Sequence, residues 1–99
     1  MSITRKHLEN VVDDLNRTLC KRSKNELYVQ GAYGGYRVLL TGKRDKRTKR
    51  GYRKGSLGSG ATDITYGNQS AAKTIDDLYA TVRSGSLKRT LNYWDNYRK

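Results

Sequence analysis

The sequence predicts an α+β fold in which a three-stranded antiparallel sheet packs against two or three helices, with a long basic arm between the second and third strands. Three features predict it: an amphipathic segment near the N-terminus, two β-favouring segments around Gly34-Gly35, and a second apolar stripe of helical spacing after residue 70. At 99 residues, the chain is expected to form one small basic domain over residues 1–99.

The first helix is predicted over residues 3–20. Its apolar residues recur at helical spacing and form one stripe: Leu8, Val11, Val12, Leu15 and Leu19. Thr4 precedes this stripe and is a suitable N-cap, because its hydroxyl can accept a hydrogen bond from an N–H of the first turn.

Two segments, residues 26–33 and 36–41, flank Gly34-Gly35 and predict a β-hairpin. A Gly-Gly turn places Tyr33 opposite Tyr36, which pairs Gly31 with Val38 and Val29 with Leu40. Because side chains alternate between the faces of a strand, one face is apolar and carries Leu27, Val29, Tyr33, Tyr36, Val38 and Leu40. The other face is more polar and carries Tyr28, Gln30, Ala32, Arg37, Leu39 and Thr41.

Residues 43–60 differ in composition from the rest of the chain and are predicted to form a flexible basic arm. Eight cations and a single acid, Asp45, lie between Gly42 and Gly55; the cations are Lys43, Arg44, Lys46, Arg47, Lys49, Arg50, Arg53 and Lys54. The GSLGSG stretch that follows has the composition of a tether. A third strand is predicted over residues 61–66, so the arm is either a long loop or an extended hairpin.

The rest of the chain predicts two helices. Gly67-Asn68 is typical of a turn, and Ser70 is a candidate N-cap for a helix that carries Ala71, Ala72, Ile75, Leu78, Tyr79 and Val82. Gly85 suits the position just past the end of this helix. A C-terminal helix is predicted over residues 86–99, with a looser stripe of Leu87, Leu91, Trp94 and Tyr97.

The string Gly31-Ala32-Tyr33-Gly34-Gly35-Tyr36 follows a helix that contains Leu15-Asn16 and precedes Asp77-Leu78-Tyr79 and Gly85. In these features the chain resembles a group of small phage and archaeal-virus proteins, which pair a G-A-Y-G-G-Y/W hairpin with a short closing helix carrying E-L-Y. The resemblance covers residues 8–42 and 64–85, but neither the basic arm nor the Trp94 helix. It implies a viral accessory protein and says nothing about its chemistry.

The charge balance indicates the class of partner. Twenty-one Lys and Arg oppose nine Asp and Glu, which gives a net charge of +12. A phosphate polymer gains affinity from such a charge by releasing its counterions. An anionic membrane would require an apolar face or an anchor as well, so we expect no membrane partner. The lone Cys20 and the lack of an apolar leader segment suit a cytoplasmic location, in a host cell if the protein is viral.

We therefore expect the arm to contact DNA or RNA through phosphate groups, with little sequence preference. The expected contacts are Lys43, Arg44, Lys46, Arg47, Lys49, Arg50, Tyr52, Arg53 and Lys54, together with Arg37 on the polar sheet face. Tyr52 can stack on a base if single strands are bound. Two alternatives remain open: a solvated loop that aids solubility, and contact with an acidic protein surface.

Two aromatic groups have both a structural and a functional interpretation. Tyr28 and Arg37 could form a stacking platform for single-stranded bases, but we expect a second helix to cover that face. Trp94, with Tyr93 and Tyr97, is expected to anchor the C-terminal helix on the core. The alternative is a docking helix for a partner or for a second copy, which would give a homodimer.

No residue set suited to catalysis, to a metal or to a cofactor is visible. His7 and Cys20 are the only residues of their kinds, so one chain supplies neither a metal cluster nor a Cys-His pair. Asp13-Asp14 and Asp76-Asp77 are neighbours on predicted helices, where adjacent side chains diverge. GSLGSG lacks the Lys-Ser/Thr ending of a phosphate loop. We therefore expect a binding protein that is not an enzyme.

The sequence thus favours a nucleic-acid-binding viral accessory protein. The alternative is a viral inhibitor or modulator that occupies an acidic surface of a host protein or nucleoprotein machine. A third possibility is a ribosome-associated or virion structural component.

Overall fold

The computed structural model describes residues 3–32, 34–42 and 62–97. They form six elements: α1 (Arg5–Thr18), β1 (Asn25–Ala32), β2 (Gly35–Gly42), β3 (Thr62–Asp63), α2 (Ala71–Arg83) and α3 (Ser86–Tyr97). The strands form one antiparallel sheet in the order β1-β2-β3, which confirms the predicted α+β class. Within the described ranges, no helix combines the length and the apolar character needed to span a membrane.

The three helices pack on one face of the sheet. Their apolar residues join those of the strands in a single buried cluster that includes Leu8, Val12, Leu27, Val29, Val38, Leu40, Ala71, Leu78, Leu87 and Leu91. The strand residues in this cluster alternate along β1 and β2 and belong to the face predicted to be apolar. Burial of these side chains is the main favourable contribution to folding.

Helix α1 begins after Thr4, as predicted, but ends at Thr18 instead of residue 20. The N–H of Thr4 donates to Nδ1 of His7 over 3.2 Å, which ties the cap to the first turn. At the other end, the N–H of Cys20 reaches back to the carbonyl of Leu15. The chain turns there, so Cys20 is buried while Leu19 is 40% exposed and leaves the predicted stripe.

The hairpin turn falls one residue earlier than predicted, between Ala32 and Gly35. The predicted pairs were therefore wrong, and the observed pairs are Ala32 with Gly35, Gly31 with Tyr36, Val29 with Val38 and Leu27 with Leu40. Each residue of β1 thus meets a partner two positions away from the predicted one. Because side chains alternate with a period of two, the apolar residues keep their predicted face. Tyr33 lies outside the described residues.

The third strand is shorter than the predicted 61–66 and covers only Thr62–Asp63. The N–H groups of Ile64 and Thr65 both donate to the carbonyl of Val38, over 2.9 and 3.3 Å. The Thr65 hydroxyl accepts from the N–H of Val38 over 2.9 Å. Ile64 and Thr65 thus lie opposite the single residue Val38, and this irregularity ends the regular pairing of β3 with β2. Tyr66 is 71% exposed instead of lying on the sheet. The predicted basic arm lies outside the described residues.

Helices α2 and α3 begin where the sequence predicts. The Ser70 hydroxyl accepts a hydrogen bond from the N–H of Lys73 over 3.2 Å and caps α2. Gly85 separates the two helices with a φ of +81°, a left-handed conformation that favours glycine. Trp94 is half-buried against the core, where it anchors α3.

The segment before α2 returns to the central strand. Tyr36 and Gln69 exchange two backbone hydrogen bonds, of 2.8 and 3.1 Å. Gly35 lies beside this bridge, and a Cβ at that position would approach the carbonyl carbon of Asn68 to 2.6 Å. Glycine is therefore required here, because two backbone segments approach closely.

Replacement of Gly35 by alanine is expected to reduce the free energy of unfolding by about 3–4 kcal/mol, because the methyl group pushes the Asn68-Gln69 backbone away from β2. Gly34→Ala is the matched control. An added Cβ at Gly34 meets nothing within 4 Å, so this change costs only the positive φ, about 1–2 kcal/mol. Urea unfolding followed by the fluorescence of Trp94 measures both, and equal losses would contradict the close approach at Gly35.

Candidate nucleic-acid interface

Most of the predicted contacts lie outside the described residues, namely Lys43, Arg44, Lys46, Arg47, Lys49, Arg50, Tyr52, Arg53 and Lys54. Arg37 is the predicted contact that the structure does describe. The geometry of the interface is therefore defined by Arg37 and by the residues at the root of the arm.

The root of the arm consists of Gly42, Thr62 and Asn25, which lie at one end of the sheet. Gly42 ends β2 and Thr62 begins β3, so both ends of the arm leave from adjacent strands. Gly42 pairs on its other side with Asn25, the first residue of β1. The connection between α1 and β1, residues 19–24, thus adjoins the root.

This connection adds exposed cations to the root. Lys21, Arg22 and Lys24 are exposed, and no acid occurs between Arg17 and Glu26. A phosphate backbone drawn to the arm would therefore find further positive charge on the folded part of the chain. These three cations are not among the contacts predicted from the sequence.

Asp95 of α3 fixes the position of this connection. One carboxylate oxygen, Oδ1, accepts hydrogen bonds from the Ser23 hydroxyl (2.7 Å), the Lys24 backbone N–H (3.0 Å) and the Asn25 side-chain amide (2.9 Å). The Ser23 hydroxyl also accepts from the N–H of Asn25 over 2.9 Å. The backbone at Lys24 is therefore held next to the root of the arm.

The same contacts stabilise the anionic form of Asp95. Burial alone would raise the pKa of Asp95, because it removes water from the carboxylate. The hydrogen bonds from Ser23, Lys24 and Asn25 and the positive charge of Lys24 outweigh this effect, so the pKa lies below its ordinary value. The Asp95 contacts thus contribute stability at neutral pH.

Arg37 lies on the face of the sheet opposite the helices. Its Nε donates to Oε1 of Gln30 over 2.6 Å, and its Nη1 lies 3.5 Å from Oδ1 of Asp63. The charge of Arg37 is thus partly balanced by Asp63. The guanidinium has further N–H groups, but a phosphate bound to Arg37 would compete with this carboxylate.

No described helix covers this second face, so the expectation that a second helix would do so was wrong. The face nevertheless has low exposure. Leu39 is 5% exposed and Thr41 is fully buried, while Tyr28 and Gln30 are half-buried. We therefore do not extend the interface across this face as a stacking platform.

The residues considered for catalysis or metal binding remain apart in the described part of the chain. No group of three or more His, Cys, Asp or Glu side chains there is placed to hold a metal ion. Cys20 is buried, and His7 belongs to the N-terminal cap of α1. Among the acidic pairs, Asp14 forms an ion pair with Arg17 and Asp77 forms one with Lys73.

Comparison of the chain with protein-family models, with curated protein sequences and with solved structures found no match. The function is therefore inferred from the residues and their arrangement.

Two polar residues for which the sequence predicted no contact, Asn16 and Asp95, hold the edge and the end of β1. Asp95 fixes the root of the arm, and Asn16 bonds both backbone groups of Leu27: its Nδ2 donates to the carbonyl (3.1 Å) and its Oδ1 accepts from the N–H (2.7 Å). Both residues lie in line with buried apolar residues of their helix, at a spacing of four. Asn16 follows Leu8 and Val12, and Asp95 follows Leu87 and Leu91. A polar residue at the next i+4 position is the signal that could have found them.

Asp95→Asn keeps the shape of the side chain but removes its charge, and we expect it to lower the free energy of unfolding at pH 7 by about 1 kcal/mol for this half-buried group. Because the folded pKa of Asp95 is lowered, its contribution is complete above the ordinary value of 3.8 and is lost as the pH falls through the folded pKa. The difference between wild type and variant should therefore disappear in strong acid. Urea unfolding at a series of pH values measures it, and a constant difference would contradict the assignment.

Proposed function

We propose that this protein binds DNA or RNA through phosphate groups, with the basic arm as the main contact and with weak sequence preference. The observation that carries this proposal is the charge density of residues 43–54, which hold eight cations and one acid. These twelve residues account for +7 of the net charge of +12, so the rest of the chain carries only +5.

The physical basis is counterion release. Like charges at this density repel one another in water, and a polyanion removes that repulsion while releasing its own condensed ions. Lys and Arg bind phosphate oxygens whatever the base, which gives affinity without reading sequence. The exposed cations Lys21, Arg22 and Lys24 next to the root support the proposal, because they continue the positive surface onto the folded part of the chain.

The resemblance of the hairpin to small phage and archaeal-virus proteins adds a viral accessory role to this proposal. The same cations would suit an acidic surface of a host protein, so the partner must be tested directly. A pull-down with and without nuclease separates the two. Loss of partners after nuclease supports nucleic-acid binding, whereas retention of one host protein in stoichiometric amount supports an inhibitor or modulator.

Gel shifts with single- and double-stranded DNA and RNA test the proposed partner. If about six phosphates are neutralised, the affinity for duplex DNA should fall on the order of 10³-fold between 50 and 200 mM salt. Replacing Lys43, Arg44, Lys46 and Arg47 by alanine should reduce the slope of log affinity against log salt by about 3–4, because four phosphate contacts are lost.

The matched control replaces two lysines and two arginines on the helices, Lys6, Arg83, Lys88 and Arg89, and lowers the net charge by the same four units. These cations belong neither to the arm nor to the connection that adjoins its root, so the salt slope should remain near that of the wild type. An equal change in both variants would show that net charge, and not the arm, determines binding.

Substitution of Tyr52 distinguishes binding of single strands from binding of duplexes. Tyr52→Ala is expected to weaken binding of single strands by about 5-fold or more, because one stacked base is lost, and to leave duplex binding unchanged. Fluorescence anisotropy with labelled oligonucleotides of equal length measures both affinities. Tyr52→Phe retains the ring and serves as the control that should bind like the wild type.

A further inference from the structure

The outer edge of β1 has a regular set of backbone groups that point away from the sheet. β1 is an edge strand that pairs only with β2 in the described sheet. Leu27 directs both its N–H and its carbonyl outward, to Asn16. Because backbone direction alternates along a strand, Val29 and Gly31 direct theirs outward as well.

One half of this edge is closed by side chains. The Asn16 amide bonds the N–H and the carbonyl of Leu27, as a neighbouring strand would. The Ser23 hydroxyl accepts from the N–H of Asn25. An additional strand therefore cannot pair at Leu27 unless it displaces Asn16.

The other half of the edge is open. In the described part of the chain, the outward N–H and carbonyl groups of Val29 and Gly31 have no hydrogen-bond partner. The stretch Leu27–Ala32 contains no charged residue and no proline, which are the usual means of protecting an edge strand. Val29 and Gly31 are thus available to form hydrogen bonds with the backbone of an additional strand.

A groove lies along this edge, between α1 and β1. Asn16 lies near Leu27, while Nη1 of Arg5 would lie 3.3 Å from a Cβ at Gly31, so α1 runs antiparallel beside β1. The groove has a volume of about 630 Å³, and its lining includes Arg5, Glu9, Val12, Asp13, Leu27 and Val29.

We propose that the open half of the β1 edge binds an extended peptide segment of a partner protein, which adds a fourth strand to the sheet. Outward N–H and carbonyl groups at alternate residues match the backbone of a strand, and side chains in alternate positions can then enter the groove. The segment forms up to four backbone hydrogen bonds, two with Val29 and two with Gly31. Asn16 sets the limit of pairing at Leu27.

The lining of the groove indicates the chemistry of the segment. Val12 and Val29 reach the floor of the groove but are almost fully buried in the core, so the exposed part of the lining is mainly polar. Arg5 and Arg17 are already bonded to the carboxylates of Glu9 and Asp14. Asp13 lines the groove and has no ion pair among the described residues, so a lysine or arginine of the peptide finds its charge partner there.

A second copy of this chain suits the groove less well. It would bring another charge of +12 to the contact, which opposes self-association. It would also bring its own α1 to an edge that already has α1 as one wall. A short segment with one or two cations brings much less charge than a second copy and has no helix to accommodate, and its binding is independent of nucleic acid.

The first test uses the hexapeptide acetyl-KTVTVK-amide as the probe, with 0.5 M NaCl to suppress nonspecific charge effects. Amide hydrogen exchange of the ¹⁵N-labelled protein is followed by NMR. On saturation with the probe, exchange at Val29 and Gly31 should slow at least tenfold, while exchange at Leu27 should not change. Protection that appears elsewhere and not at Val29 and Gly31 would overturn the proposal.

The second test compares two variants at one position. Gly31→Pro removes the outward N–H but no hydrogen bond to β2, and Gly31→Ala adds a Cβ while keeping the N–H. In both variants, the added Cβ faces the flexible end of Arg5 and the ring of Tyr36. Gly31→Pro should bind the probe at least tenfold more weakly than Gly31→Ala, with similar unfolding temperatures for the two. Equal affinities would contradict pairing at this edge.

Light scattering of the same samples identifies the occupant. If the protein is monomeric and its Val29 and Gly31 amides exchange more slowly only when the probe is present, the partner is a peptide. A dimer that forms at high concentration and protects Val29 and Gly31 without the probe would show that a second copy occupies the edge, and would overturn the proposed partner. Neither result depends on the gel shifts that test nucleic-acid binding.

Discussion

Packing of all three helices on one face of a three-stranded sheet is the constraint on which the rest of the molecule depends. A sheet this narrow brings both edges close to the core, and the helices alone do not close them. Polar side chains complete the backbone hydrogen bonding at three places: Asn16 covers part of the β1 edge, the Thr65 hydroxyl accepts from the N–H of Val38 on β2, and Asp95 holds the connection between α1 and β1. Apolar burial supplies most of the stability, and these polar contacts determine how the pieces are placed.

The apolar pattern was sufficient to predict the helices, the strands and the face that each strand buries. It could not determine the register of the hairpin, because a shift of two residues leaves every side chain on the same face. The register depends on a distant contact: Gly35 must lie within β2, where Asn68 approaches too closely for any side chain. The predicted length of the third strand was too great for a similar reason. Its early end depends on the Thr65 side chain and on two N–H groups that share one carbonyl of Val38, and neither is visible in a hydrophobic pattern.

The candidate interface could be predicted only in part. Composition identifies the cationic stretch directly, because eight cations among twelve residues cannot belong to a core. The environment of Arg37 could not be predicted, since Asp63 comes from a strand that lies beyond the arm in the sequence. The contacts of Asn16 and Asp95 could not be predicted because a single polar residue on a helix is usually a solvated one. Only their positions in line with buried residues of α1 and α3 distinguish them.

The contacts of Asp95 also constrain the order in which the chain can fold. Its carboxylate meets Ser23 and Asn25 across 72 and 70 positions of sequence, whereas the β1–β2 hairpin closes over a short turn. Closing so long a loop costs more entropy and is slower, so the hairpin can form well before the Asp95 contacts. During synthesis, Ser23 and Asn25 remain without their Asp95 contacts until α3 has emerged from the ribosome. The surface from which the arm departs is thus completed later than the hairpin.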